Sequence, residues 1–156
     1  RLNATLLELA IDDEPGPLTA LQKQTTVKNL LNRKSGINHR AAADGGLIAD
    51  NVRRLGGREN ISGTIWAYNN WNYNALTTIF ETRTGLAVAE AFNTGIAQPA
   101  QMKDYVNDNV TYISETYLSQ HRSALFRMSA RDLATFGRIF LHGGRAGRRA
   151  VGDSAL

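Results

Sequence analysis

No other part of the chain carries as much structural instruction as the stretch from Ser129 to Gly144. Ser129 stands where a helix N-cap is wanted, and Asp132 has the spacing to return the hydrogen bond as in a capping box. Met128 and Leu133 occupy the positions of a hydrophobic staple. Leu133, Phe136 and Phe140 recur at helical spacing and predict a buried stripe, and Gly143-Gly144 ends the helix. Three further segments share this period. Val27, Leu30 and Leu31 predict a helix from about Thr26 to Lys34, with Gly36 as a left-handed cap. Tyr73, Leu76, Ile79, Phe80 and Arg83 trace one side of a helix from near Trp71 to just before Gly85. Phe92 and Ile96 mark another from about Val88 to Gln98, with Pro99 as its stop. A short helix near Leu47–Leu55 is expected between the Gly45-Gly46 and Gly56-Gly57 breaks. Only Val110–Leu118 alternates enough for a short strand or hairpin. The expectation is a mainly α fold with at most a short β-hairpin, in a single domain over residues 1–156.

Composition narrows the function classes. A 156-residue chain with 42% hydrophobic and 21% charged residues is that of an ordinary globular domain rather than a disordered segment. No apolar run approaches the ~18 residues needed to span a bilayer, so no membrane span is expected. The absence of cysteine excludes a disulfide scaffold, a thiolate metal site and a cysteine nucleophile. The net charge of +4 is modest, although Arg138, Arg145, Arg148 and Arg149 crowd the last stretch. A nucleic-acid surface would interleave such cations with exposed aromatics or set them on a recognition helix. Here the segment is glycine-rich, so a solvated surface with no nucleic-acid partner is expected. No signal peptide is visible and the first residue is Arg1 rather than Met, which suggests a piece of something longer.

Most catalytic and metal motifs are missing. His39, His121 and His142 stand far apart, none with a partner at the spacing of a helical metal site, so no metal is expected. Asp12 and Asp13 lie in a proline-glycine loop and read as a turn. There is no phosphate-binding loop, no dinucleotide-binding glycine motif and no G-x-S-x-G elbow, and no cofactor is implied. What remains is Ile65-Trp66-Ala67-Tyr68-Asn69-Asn70-Trp71-Asn72-Tyr73-Asn74. A helix start needs one capping Asn, not this concentration of amides and large aromatics. Taken alone, the segment fits a capped helix with aromatic packing and a functional site equally well.

Order and spacing along the chain add to this. Thr26-Val27-Lys28-Asn29-Leu30-Leu31, followed by Ser35-Gly36-Ile37, resembles the helix-plus-Ser-Gly segment of the class C β-lactamase and esterase group of serine hydrolases. Tyr68-Asn69-Asn70 is similar to that group's Tyr-x-Asn motif, and Tyr73-Asn74-Ala75-Leu76 through Thr84-Gly85 to the run into a Thr-Gly helix end. Ile96-Ala97-x-Pro99-x-x-Met102-x-Asp104 resembles its Pro-Leu-Gly-Met segment, with Ala100 and Gln101 in place of Leu and Gly. Met128-Ser129-Ala130-Arg131-Asp132-Leu133-Ala134 and Gly143-Gly144-Arg145 resemble its Ser-Ala-x-Asp-Leu helix and glycine turn.

The departures are equally specific. The superfamily acylates a serine in S-x-x-K, with a K-T-G partner triplet. No serine here has a lysine three residues later. Lys34-Ser35-Gly36 mimics K-[ST]-G but precedes Tyr68 and closes a helix, so it reads as structural. The resemblance therefore implies the helical domain of a larger α+β serine hydrolase, lacking the nucleophile and the final strands, partnered by the remaining part of its parent chain and inactive alone. It implies a small-molecule ester, amide or β-lactam substrate, with Tyr68 catalytic and Asn70 substrate-binding. Tyr68, with the nucleophile's lysine, would take the serine proton and later protonate the leaving group. A tyrosine, with an ordinary pKa near ~10, needs neighbouring cations for this. Asn70 would hold the acyl part of the substrate, with Trp71 packed behind the motif. Family habit favours a bacterial periplasmic or secreted parent. The alternative is a non-catalytic helical module that binds a partner through its arginine-rich end.

Overall fold

The computed structural model describes residues 1–43, 61–147 and 149–151, and the helix expected near Leu47–Leu55 lies outside them. The chain divides into two units, one of Arg1–Thr84 with Tyr112–Ala124, the other of Gly85–Thr111 with the residues from Leu125 onward.

In the first unit, helix α1 (Val27–Leu31) starts where Thr26 accepts the Asn29 N–H at 3.3 Å. It stops after five residues, short of the expected Lys34. Arg33 turns left-handed, and the Lys34 N–H returns to the Asn29 carbonyl at 2.8 Å. Helix α2 (Asn70–Thr84) matches its expected span, and the Asn69 side chain caps it by accepting the Trp71 N–H at 2.8 Å. Its inward face differs from the expected stripe. Trp71, Asn72, Asn74, Ala75 and Ile79 are buried, Tyr73 and Leu76 half-buried, and Phe80 and Arg83 exposed. Trp71, Ala75 and Ile79 complete a core with Leu6, Ile11, Leu18, Leu30, Ile37 and Ala41. Full burial of each large apolar side chain contributes about 1.5–3 kcal/mol.

In the second unit, helix α3 (Val88–Phe92) widens into a single π turn, Asn93–Ala97, so the expected helix is present but irregular. Phe92 is the hub of this unit, with the rings of Tyr105, Phe126 and Phe136 at 4.8, 5.2 and 5.8 Å. Helix α4 (Ala130–Leu141) begins as expected, with Ser129 Oγ accepting the Asp132 N–H at 3.2 Å. Asp132 makes no capping box. Its buried carboxylate accepts the Lys103 and Asp104 N–H groups, both at 2.9 Å. This fixes the rotation of α4. Asp132, Phe136 and Ile139, at i, i+4 and i+7, form the inward face, with Phe136 only half-buried. Leu133 and Phe140 follow Asp132 and Ile139 by one residue, about 100° round the helix, and are 58% and 71% exposed. The buried Leu133–Phe136–Phe140 stripe is thereby corrected.

The mainly α expectation is also corrected. The described residues form two two-stranded sheets, β1 (Val110–Ile113) with β2 (Ser123–Phe126), and β3 (Arg145–Ala146) with β4 (Arg149–Ala150). In the second sheet Arg145 stands opposite Ala150 and Ala146 opposite Arg149, antiparallel. Gly143 and Gly144, at φ +59° and +79°, therefore do more than end α4, because they turn the chain into β3. Among the described α-helices only α2 and α4 exceed five residues. The result is a small helical-plus-sheet fragment in which much of the chain is turn and irregular structure.

Candidate active site

The segment leading to Tyr68 runs beside the end of α1. The Gly63 N–H donates to the Lys34 carbonyl at 2.7 Å and the Ala67 N–H to the Arg33 carbonyl at 2.8 Å. Asn29 Nδ2 adds a bond to Ser62 Oγ at 2.9 Å. Four asparagines then fasten the start of α2 to residues 35–43. Asn69 Nδ2 donates to the Ile37 and His39 carbonyls at 3.3 and 3.1 Å. Asn70 Nδ2 donates to the Ala43 carbonyl at 2.6 Å, and Asn74 Nδ2 to the Ala42 carbonyl at 3.0 Å. Asn72 Oδ1 accepts from Ser35 Oγ at 2.9 Å, while its buried Nδ2 has no partner among the described residues. The unusual density of amides is thus a clamp on irregular backbone that would otherwise leave buried carbonyls unsatisfied.

Tyr68 is half-buried on this frame. Its ring lies 5.8 Å from that of Tyr73, tilted by 39°. The Arg33 guanidinium carbon stands 5.1 Å from the Tyr68 ring centroid and 5.8 Å from those of Trp66 and Tyr73. Arg33 Nε donates to the Tyr73 hydroxyl at 2.5 Å, a bond that holds Arg33 above its ordinary pKa. Among the described residues the Tyr68 hydroxyl takes no hydrogen-bond partner. The two expected site residues therefore share one short segment. Asn70 has its amide nitrogen committed to the Ala43 carbonyl.

Trp71 is fully buried behind the motif and donates through Nε1 to Asp13. His39 and His121 flank its ring at 5.8 and 5.5 Å. Asp13 is no simple turn residue. Its carboxylate also accepts from Ser119 Oγ at 2.6 Å and from the Glu14 and Gln120 N–H groups at 2.7 and 2.8 Å, with His39 Nδ1 at 3.4 Å. Burial pushes His121 below the ordinary histidine value, partly opposed by the charge of Asp13. Burial alone would raise Asp12, but Lys23 and the N–H groups of Leu18 and Asp13 outweigh it and hold that carboxyl low. Ser35 of the Lys34-Ser35-Gly36 triplet is buried, and Gly36 has φ +74°. Asp13 and Arg33 are the residues that sequence reasoning missed, because neither lies in a motif and most of their partners are distant along the chain.

Elsewhere, Arg138, His142 and Arg145 line a cavity of about 600 Å³ in the second unit. Arg148 and the Arg149 side chain lie outside the described residues. Among the described residues no three His, Asp or Glu side chains are grouped to hold a metal ion. No described helix is long and apolar enough to cross a membrane.

The Beta-lactamase family model matches residues 10–156, and the chain belongs to that family. Its class is therefore the serine β-lactamase and penicillin-binding-protein-like superfamily of hydrolases. No curated protein sequence matches the chain.

Proposed function

We propose that this chain supplies the Tyr-x-Asn part of a serine hydrolase that acts on an ester, amide or β-lactam through an acyl-enzyme, and that it is inactive alone. The carrying observation is the Tyr68 hydroxyl, which no described residue claims by a hydrogen bond although its ring lies against Tyr73 and Arg33. A phenol so placed can take a serine proton as the acyl bond forms, then return it to the leaving group. The Asn70 amide oxygen suits an N–H on the acyl side of the substrate, its nitrogen being held by Ala43. No described carboxylate or histidine is hydrogen-bonded to Tyr68, which suits a base whose lysine partner and serine come from a parent chain.

The test compares the 156-residue chain with its parent protein, using p-nitrophenyl butyrate and a fluorescent penicillin. The parent should form a covalent acyl-serine and turn over at least one of the two probes, while the chain alone should do neither. Serine-reagent-sensitive turnover by the chain would contradict its inactivity. A parent that is never acylated would contradict the hydrolase reading.

A further inference from the structure

We propose that Arg33 is the positioning residue that sets the Tyr68 ring, an inference that rests on the reading of Tyr68 above and deepens it. Arg33 adopts φ +58°, the left-handed region that glycine occupies freely and that a residue with a Cβ occupies at a cost. The side chain is what offsets that cost. Its guanidinium lies within cation–π range of three rings at once, those of Tyr68 at 5.1 Å and of Trp66 and Tyr73 at 5.8 Å. The Nε–H bond to the Tyr73 hydroxyl at 2.5 Å fixes the guanidinium from the side of α2. The Arg33 carbonyl accepts the Ala67 N–H at 2.8 Å, so the same residue grips the backbone one position before Tyr68.

Main chain and side chain thus act on Tyr68 together. The left-handed turn aims the carbonyl at Ala67, and the guanidinium bears on the ring next to it. The Tyr68 and Tyr73 rings stand 5.8 Å apart, so Tyr73 closes the same pocket for the guanidinium. Proton transfer depends on where the phenol oxygen stands, and a misplacement of about 1 Å in such a group can cost about 10²-fold in rate. A merely structural arginine would affect folding. A positioning arginine affects the ring and the rate while folding is kept.

Arg33→Gly separates the two, because it relieves the left-handed backbone and removes the side chain. Arg33→Met keeps the length without the charge, and Arg33→Lys keeps the charge. In the 156-residue chain labelled with ¹³C-tyrosine, Arg33→Gly and Arg33→Met should shift the ring signals of Tyr68 and Tyr73. Those of Tyr105, Tyr112 and Tyr117 should stay in place, and Arg33→Gly should unfold no earlier than the unaltered chain. In the parent protein on p-nitrophenyl butyrate, kcat should fall about tenfold in both variants with KM within about twofold, and Arg33→Lys should recover part of the loss. Unmoved Tyr68 ring signals in both variants, or unaltered kcat in both, would overturn the proposal. Should Tyr68→Phe prove fully active, the catalytic reading of Tyr68 falls, while the ring signals still decide whether Arg33 positions it.

Discussion

The sharpest stability prediction concerns Asp13, a fully buried carboxylate with four donors directed at it. Asp13→Ala would leave the Trp71 indole N–H, the Ser119 hydroxyl and the Glu14 and Gln120 N–H groups without an acceptor. A buried donor left unsatisfied costs about 1–3 kcal/mol, though these penalties do not add fully because water enters the space. His39 Nδ1, at 3.4 Å, would also lose its contact with the carboxylate. Breaking such a buried network typically costs about 3–5 kcal/mol, which is the loss expected here and a large share of the ~5–15 kcal/mol that holds a domain folded. Asp13→Asn keeps the volume but turns an amide N–H₂ toward donors, and should cost roughly half as much. The assay is equilibrium urea unfolding followed by tryptophan fluorescence, since Trp71 reports on this environment. A loss under ~1 kcal/mol for Asp13→Ala, with an unchanged denaturant slope, would refute the view that this carboxylate organises the first unit.

Other expectations follow from the same contacts. His121 favours its neutral form when folded, chiefly through burial. Its stabilising contribution should be complete above the unfolded value near ~6.5 and be lost as pH falls through that value toward the depressed folded one. The Tm of the unaltered chain should then drop more between pH 7 and 5 than that of His121→Gln, and equal drops would contradict this. Phe140→Ala should cost under ~1 kcal/mol, because the side chain is 71% exposed. A loss of ~3–5 kcal/mol, as for a buried phenylalanine, would show that α4 is turned the other way.

Local signals in the sequence located elements well and their faces poorly. The span of α2, the Ser129 cap and the Gly143-Gly144 stop were all legible, because capping and glycine chemistry act within one turn of chain. The burial of α4 was not, because its rotation is set by Asp132 reaching Lys103 and Asp104, residues about thirty positions back in the chain. Apolar spacing marks one side of a helix but not the distant partner that turns it. Likewise, Asn72 and Asn74 face inward on α2 because the carbonyl of Ala42 and the hydroxyl of Ser35 await them. Strand β1 falls inside the Val110–Leu118 stretch whose alternation suggested a strand or hairpin, whereas β2, β3 and β4 went unseen because strands of two to four residues carry almost no periodicity. Within the candidate site, Tyr68 and Asn70 stood out through their resemblance to a motif. Arg33 was hidden, since a cation–π contact across thirty-five positions leaves no trace in spacing.

The most direct measurement is the turnover of a p-nitrophenyl ester by the parent protein, unaltered against Tyr68→Phe, at matched thermal stability. The substitution removes a single hydroxyl that has no hydrogen-bond partner among the described residues, so folding should be nearly unchanged. A general acid–base group contributes about 10²–10⁴-fold, and kcat should fall by a factor in that range. Equal rates would contradict the account and leave Tyr68 as a packing residue beside Arg33.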